Sequence, residues 1–242
     1  NIITLFNNNV MKHILLILLC FVGLSAIAQD KISENIEKLF KTELKNKNIK
    51  SGTLHIYSES RDIDIQLAES KEDSISINNP FYTASVTKMF TATAIGILKD
   101  RKQLNFNDKI DQYLPDSLIV NLHVLDSIDY SKQISIAHLL QHTSGLPDYF
   151  TDSTNDESPN IINQLLMNPN KLWSAEEMIQ FTKEKMKPHF IPSEGYHYTD
   201  TEYVLLALII ENISGQTLDE FFKQNIFQPL KMNSSYINLK SS

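Results

Sequence analysis

The segment 85–100, "SVTKMFTATAIGILKD", carries apolar side chains around nearly the whole circumference of a helix and keeps its polar residues near the two ends. A helix that is apolar nearly all round is buried in the core of a protein. The sequence therefore predicts a buried helix from Ser85 to about Asp100. The 42% of residues that are hydrophobic are enough to build a core around it.

The segments before this helix predict one more helix and a β-hairpin. Residues 31–47 repeat apolar side chains at helical spacing. The runs "GTLHIYSE" and "DIDIQLAE" both alternate between apolar and polar residues and are separated only by "SR". Alternation of this kind predicts two antiparallel strands. Two strands alone are only marginally stable in water, so the predicted sheet is small for a domain of this size.

The segments after the buried helix are mostly helical. Helices are predicted near 136–142, over 174–185, and over two stretches that begin at Thr199 and Thr217. Thr199 and Thr217 each have a glutamate three residues later, Glu202 and Glu220, which is the spacing of a capping box. One helix, two strands and then many helices make an α+β order.

The N-terminus predicts an exported protein. Met11 is followed by a lysine, an apolar run and the residues Ala26-Ile27-Ala28, which is the layout of a secretory signal peptide. The apolar run is too short for a stable membrane span. We interpret residues 1–10 as an upstream translation artefact, 11–28 as the signal peptide and 29–242 as the domain.

Cysteine content indicates the cellular compartment, and net charge argues against one class of partner. Cys20 is the only cysteine and lies inside the apolar run behind a bulky leucine, which disfavours lipidation. Cleavage after Ala28 would leave an acidic chain without cysteine, which fits a bacterial periplasm or cell envelope. The net charge of −7 with no basic cluster argues against nucleic acid as a partner.

Ser85 and Lys88 could form a reactive pair at the start of the buried helix. Their spacing puts both side chains on one helix face, and Ser85 would lie where free backbone N–H groups favour negative charge. We expect burial to lower the pKa of Lys88, which would let it accept or orient a proton. The alternative is a serine N-cap followed by an incidental lysine.

The wider sequence resembles the serine β-lactamase and penicillin-binding group, in particular its class C-like branch of β-lactamase-related hydrolases. The resemblance rests on "FYTASVTKMFTATAIGILKDRKQLNFNDKIDQYLP", "ISIAHLLQHTSGLPDYF", "PSEGYHYTDTEYVLLALIIENISG" and "IFQPLKMNSSYI", which follow the family's order. It implies a β-lactamase/transpeptidase-like α+β fold, with an antiparallel sheet flanked by helices and a mostly helical subdomain. It also implies that Ser85 is the acylated nucleophile, Lys88 its helical partner and Tyr198 the tyrosine that moves the proton.

Two further residues are assigned to substrate binding or orientation. Asp200 occupies the position where the family has asparagine, and an ionised aspartate accepts hydrogen bonds but cannot donate them. We expect Asp200 to hold Lys88, to cap a helix or both, and to repel a substrate carboxylate, which favours a peptidase or esterase over a strong β-lactamase. Tyr149, in the loop after "GLPD", is expected either to line a substrate cleft or to be an exposed aromatic without a role.

His138 and His142 have the spacing of a zinc-hydrolase pair, but Leu139 stands where such enzymes have glutamate. A structural role is therefore expected for both, with His142 bonding backbone in "HTSG". His197 is expected to point away from the site. No metal and no cofactor is predicted.

The family's third motif, a His/Lys-x-Gly, is not present before Ser242. We therefore expect this chain to contain roughly the N-terminal two thirds of the domain, with C-terminal sheet strands missing, and to be inactive because an oxyanion donor is lost. For the full protein, the resemblance implies an exported serine hydrolase acting on D-Ala-type peptides, amides or esters. The alternatives are a non-catalytic peptidoglycan- or peptide-binding protein on the same fold, and a metal-dependent hydrolase.

Overall fold

The computed structural model describes residues 31–237, which fall into two compact units that divide between Tyr82 and Thr83. The expectations for residues 1–10 and for the signal peptide at 11–28 lie outside the described residues. Within 31–237, no helix combines the length and the apolar character needed to cross a bilayer.

The first unit contains a helix and a β-hairpin. Helix α1 covers the described residues 31–43, and strands β1 (Ser51–Ser58) and β2 (Ile63–Ser70) pair antiparallel. Leu54 pairs with Leu67 in this register. The predicted hairpin is confirmed. A Cβ on Gly52 would lie 3.3 Å from Leu44 Cδ2, so the chain just after α1 approaches β1 closely.

The second unit is mostly helical and has one short hairpin that the sequence did not predict. Its helices are α2 (Thr87–Asp100), α3 (Asp116–Ile119), α4 (Ile136–Gln141), α5 (Ile161–Met167), α6 (Ala175–Lys185), α7 (Asp200–Ser214) and α8 (Leu218–Phe222). A π-helical turn, Lys223–Phe227, follows α8. Strands β3 (Val124–Leu125) and β4 (Ile128–Asp129) pair antiparallel.

Helix α7 is the centre of this unit and contacts α2, α4, α6 and α8. Leu205, Leu206, Ile209 and Ile210 are fully buried there, which is the arrangement expected for a largely apolar helix. Its ends were predicted correctly, because Thr199 is the N-cap and Gly215, with φ of 67°, is the C-cap.

Helix α2 differs from its prediction in two ways. It begins at Thr87, and Ser85 lies in a 3₁₀ turn, Ala84–Val86, that leads into it. It also buries one face only, with Ala94, Ile95 and Leu98 inaccessible and Met89 exposed. The prediction of burial all round was wrong, because an apolar sequence does not determine how many faces of a helix are covered.

Candidate active site

Ser85 lies on an exposed turn at the N-terminus of α2, which we define as residues 83–86 and call the Ser85 turn. Ala84 has a φ of 47°, in the left-handed region that costs a non-glycine residue about 1–2 kcal/mol. The Thr83 and Thr87 hydroxyls are 2.8 Å apart and link the first residue of the turn to the first residue of α2. Strain of this kind is often found at functional sites.

Three residues that are far apart in sequence meet at this turn. The Tyr198 hydroxyl donates to Ser85 Oγ at 2.7 Å, and Lys88 Nζ donates to the same oxygen at 3.4 Å. Lys88 Nζ also lies 4.7 Å from the centroid of the Tyr198 ring, within cation–π range. Ser85 Oγ is therefore in contact with a phenol and an ammonium group.

Asp200 completes the group by forming a hydrogen-bonded ion pair with Lys88 through Oδ1. Burial lowers the pKa of Lys88, but the hydrogen bond to Asp200 and the contact with Tyr198 outweigh it, so the pKa is raised above its ordinary value. The expected lowering was wrong, because the sequence could not show that a carboxylate would face the ammonium. Lys88 is held as a cation.

The segment 198–200, here called the Tyr–Asp segment, is fixed by the loop that contains Asp148. Asp148 is buried, and its Oδ1 accepts from Asp200 N at 2.9 Å. The hydroxyls of Thr199 and Thr201 both donate to the Pro147 carbonyl, at 3.0 and 2.7 Å. These bonds use polar groups at the N-terminus of α7 that would otherwise lack partners.

The capping box predicted at Thr199 does not form, because Glu202 has other partners. Glu202 is fully buried, with Oε2 2.5 Å from His142 Nδ1 and Oε1 accepting from Ser144 N at 3.2 Å. Burial raises the pKa of Glu202. The expected backbone role of His142 is corrected accordingly, since its ring pairs with a carboxylate. By contrast, the second predicted box forms, and Glu220 Oε2 accepts from Thr217 N at 3.0 Å.

The His142–Glu202 pair packs against aromatic side chains of the site. The His142 ring lies 4.4 Å from the Tyr198 ring and 5.3 Å from the Tyr203 ring, centroid to centroid. No local pattern predicts this role, since the two residues are 60 positions apart and Glu202 has the spacing of an ordinary capping glutamate.

Tyr149 does not occupy the place expected for it. It is only 9% exposed and packs with Ile161 and Met186 in a second apolar cluster. Burial, together with the charges of Asp200 and Asp148, raises its pKa. The expectation of a cleft-lining or exposed aromatic is corrected, because this loop folds inward around its aromatic residue.

The other histidines singled out from the sequence lie apart from Ser85. His138 Nε2 bonds Ser193 Oγ at 2.9 Å, so His138 and His142 have different partners and are not among the metal-ligand groups of residues 31–237. His197 bonds Asp152 at 2.8 Å. A cavity of about 660 Å³ lies between α3, α6 and α7, around Tyr113, and none of the four site residues lines it.

Comparison with known proteins places this geometry in a family. The beta-lactamase family model matches residues 50–242, which include both the Ser85 turn and the Tyr–Asp segment. The chain belongs to the beta-lactamase family. This confirms the resemblance and the β-lactamase/transpeptidase-like fold inferred from the sequence.

Two relatives illustrate the match. Penicillin-binding protein 4* of Bacillus subtilis (strain 168) is 35% identical over 162 residues, which are 66% of this chain and 31% of that protein. The crystal structure of a penicillin binding protein from Bacillus halodurans has a TM-score of 0.59 at 28% identity, covering 81% of this chain and 56% of the other.

A third comparison concerns the fold alone. EstCE1, described as a hydrolase with promiscuous acyltransferase activity, has a TM-score of 0.67 at 19% identity over 85% of this chain and 53% of its own. The chain spans about a third of the length of the curated relatives it matches.

Proposed function

We propose that this chain contains the nucleophile and proton-transfer residues of a serine hydrolase that forms an acyl-enzyme on Ser85. The observation that carries the proposal is the convergence on one oxygen. Tyr198 Oη lies 2.7 Å and Lys88 Nζ 3.4 Å from Ser85 Oγ. A nucleophile within hydrogen-bond reach of a proton acceptor, itself oriented by a third group, is the arrangement that covalent catalysis requires.

The proposed first step transfers the Ser85 proton to Tyr198. Ser85 Oγ attacks the substrate carbonyl carbon while the phenolate form of Tyr198 takes the proton. Tyr198 then protonates the leaving amine or alcohol as the bond to that group breaks. A water molecule cleaves the resulting ester by the reverse sequence and restores the serine hydroxyl.

Lys88 supplies charge in this proposal and does not act as the base. Asp200 keeps Lys88 protonated, and this cation lies 4.7 Å from the Tyr198 ring centroid, where it can stabilise negative charge that develops during the proton transfer. The oxyanion that develops on the substrate would lie near the N-terminus of α2, where the helix dipole favours negative charge.

For the substrate we propose D-Ala-type peptides, amides or esters. Two similar proteins are penicillin-binding proteins, and the fold is shared with a hydrolase that transfers acyl groups. Tyr198 is 42% exposed, so the site is open enough to admit an extended chain. Because the charge of Asp200 is balanced by Lys88, a substrate carboxylate would be repelled less than the sequence implied.

We also propose export to a bacterial periplasm or cell envelope, on the signal-peptide pattern of residues 11–28. Expression of the whole reading frame in a bacterial host, with fractionation and N-terminal sequencing, tests this. A mature chain that begins at Gln29 in the periplasmic fraction is expected. An uncut chain in the cytoplasm would reject the proposal.

A burst experiment with an activated ester tests the catalytic proposal. The sequence predicts an inactive chain because an oxyanion donor is lost, but the group of Ser85, Lys88 and Tyr198 is assembled and supports one acylation step. Mixing the full chain with p-nitrophenyl butyrate should therefore release about one equivalent of p-nitrophenol, because the acyl group remains on Ser85. Ser85→Ala should remove the burst. The matched control is Ser153→Ala, which changes an exposed serine in a polar loop and should leave the burst intact. A wild-type chain without a burst would contradict the proposal.

The competing function is a non-catalytic binder of peptidoglycan or peptides, which Asp200 favours because it replaces the family's asparagine. A fluorescent penicillin separates the two functions, since only a working nucleophile becomes covalently tagged. Adding EDTA should not abolish the tag, because the metal-dependent alternative through His138 and His142 has no support in their separate contacts.

A further inference from the structure

A second group of metal-binding side chains includes His197, the residue directly before the Tyr–Asp segment. Asp152, His189 and His197 each offer one metal-binding atom, and these atoms all lie within 4.8 Å of one another. Asp152 Oδ2 is 2.8 Å from the Nε2 atoms of both histidines. The two imidazole rings are 3.8 Å apart, centroid to centroid.

The three residues come from separate stretches of chain, and backbone hydrogen bonds fix each one. Asp152 N donates to Asp148 O at 3.0 Å, His189 N to Gly145 O at 2.8 Å, and His197 N to His142 O at 3.0 Å. The backbone at each of the three residues is therefore positioned by the fold, and only side-chain rotations remain to be fixed when an ion binds. A ligand set held in this way loses little entropy when it binds an ion.

Gly145 allows the stretch with His189 to approach. Its φ is 78°, and a Cβ at this position would lie 2.0 Å from Phe190 O and 2.9 Å from His123 Nε2. Any side chain would therefore push Phe190 and its neighbour His189 away from the loop. The close contact that brings the ligand atoms together thus depends on a residue without a side chain.

The donor set is one that divalent transition metals use. Two imidazole nitrogens and one carboxylate oxygen bind Zn²⁺ in open sites, where water takes the fourth position. With metal–ligand bonds of about 2.0–2.1 Å, tetrahedral ligand atoms are about 3.3 Å apart, so the 2.8 Å contacts would lengthen by about 0.5 Å and a separation of up to 4.8 Å would shorten by up to about 1.5 Å through side-chain rotation. The His189 side chain is 40% exposed, which leaves the site open to water.

The simpler interpretation is a carboxylate that accepts two imidazole N–H groups. A carboxylate bonded to one imidazole exists at His55 and Asp64, as an exposed pair with a 2.8 Å contact. What distinguishes the second group is the additional histidine on the same oxygen, in a place where three anchored stretches of chain converge.

We propose that Asp152, His189 and His197 bind one divalent first-row transition metal ion, with Zn²⁺ as the best match. The site is distinct from the Ser85 group and does not depend on the proposed catalysis. His197 directly precedes Tyr198, and Asp148 N donates to Asp152 Oδ2 at 2.8 Å while Asp148 Oδ1 holds Asp200 N. An ion bound here would fasten the Tyr–Asp segment to the loop that supports it.

Metal analysis of the full chain tests the proposal. Protein stripped with chelator is dialysed against ZnCl₂, freed of excess metal and analysed for zinc. The wild type and the control His55→Gln should each retain one Zn²⁺ per chain through this site, because His55 lacks the second histidine. His189→Gln and Asp152→Asn should each lose that ion, and Co²⁺ should give the visible absorption of a tetrahedral site only in the wild type and the control.

His189→Gln decides the outcome even if Asp152→Asn fails to fold, because the His189 side chain is exposed and its loss should leave the circular dichroism spectrum unchanged. A wild type that retains no zinc would overturn the proposal. So would a folded His189→Gln variant that binds zinc as the wild type does.

Discussion

The Ser85 turn and the Tyr–Asp segment meet at one oxygen but are held in place in different ways. Residues 83–86 are all exposed, and the strained Ala84 directly precedes the nucleophile. On the other side, Thr199, Thr201 and Glu202 are fully buried and hydrogen-bonded. The contrast shows that accessibility and precise positioning are provided by different parts of the site. The proposed nucleophile lies on an accessible turn, and its proposed proton acceptor is attached to a buried, hydrogen-bonded support.

Tyr198→Phe tests the proposed proton acceptor in the Tyr–Asp segment, and we expect it to have the largest effect on the rate. It removes the hydroxyl 2.7 Å from Ser85 Oγ but keeps the ring that packs on His142. Loss of a general base typically lowers a rate by about 10²–10⁴-fold. The rate of p-nitrophenol release in the burst measures this, and the thermal midpoint should not change.

Tyr196→Phe is the matched control, because Tyr196 also faces His142, with centroids 6.1 Å apart, but is 68% exposed. Equal losses in the two variants would show that the Tyr198 hydroxyl has no special role.

Glu202→Ala tests the buried support of the Tyr–Asp segment and should lower the free energy of unfolding. It leaves His142 and the Ser144 N–H without their buried partner, and breaking a buried pair costs about 3–5 kcal/mol in free energy of unfolding. Ser85→Ala, on the exposed turn, should change the free energy of unfolding by no more than about 0.5 kcal/mol. Urea unfolding of both variants measures the difference. Similar losses of free energy of unfolding in the two variants would contradict the proposed difference between the Ser85 turn and the Tyr–Asp segment.

Asp200→Asn tests the ion pair that joins the Tyr–Asp segment to Lys88, and we expect it to have the smallest effect. The Asp200 carboxylate is the main group that raises the pKa of Lys88, so without it burial should lower that pKa. If protonated Lys88 supports the phenolate, activity falls as pH rises through the Lys88 pKa, and this loss should occur at lower pH in the variant. The pH profile of the burst rate checks it. An unchanged alkaline limb would exclude Lys88 as the titrating group.

Local patterns in the sequence were enough to predict several elements. The alternating runs predicted the β1–β2 hairpin, and the helix predicted over 174–185 corresponds to α6, which has Ser174 as its N-cap. The resemblance also indicated that Ser85, Lys88 and Tyr198 belong together, and the structure brings these side chains into contact. Their catalytic roles stay a prediction.

Other features depend on contacts between distant residues and could not be predicted from local patterns. Glu202 has the spacing of a capping residue, yet it bonds a histidine 60 positions away. The left-handed Ala84 has no signature in its residue type. Asp152 and His197 are 45 positions apart, and only the folded loops bring them together. In each case tertiary packing decided between alternatives that the local sequence left open.

The measurement that tests the central claim most directly is localisation of a covalent adduct. The full chain is reacted to completion with a fluorophosphonate, digested and analysed by tandem mass spectrometry. The proposed site predicts one adduct, on the side chain of Ser85. The modified peptide should include residues 85–88. An adduct on another residue, or an unmodified chain, would contradict the assignment of Ser85 as the nucleophile.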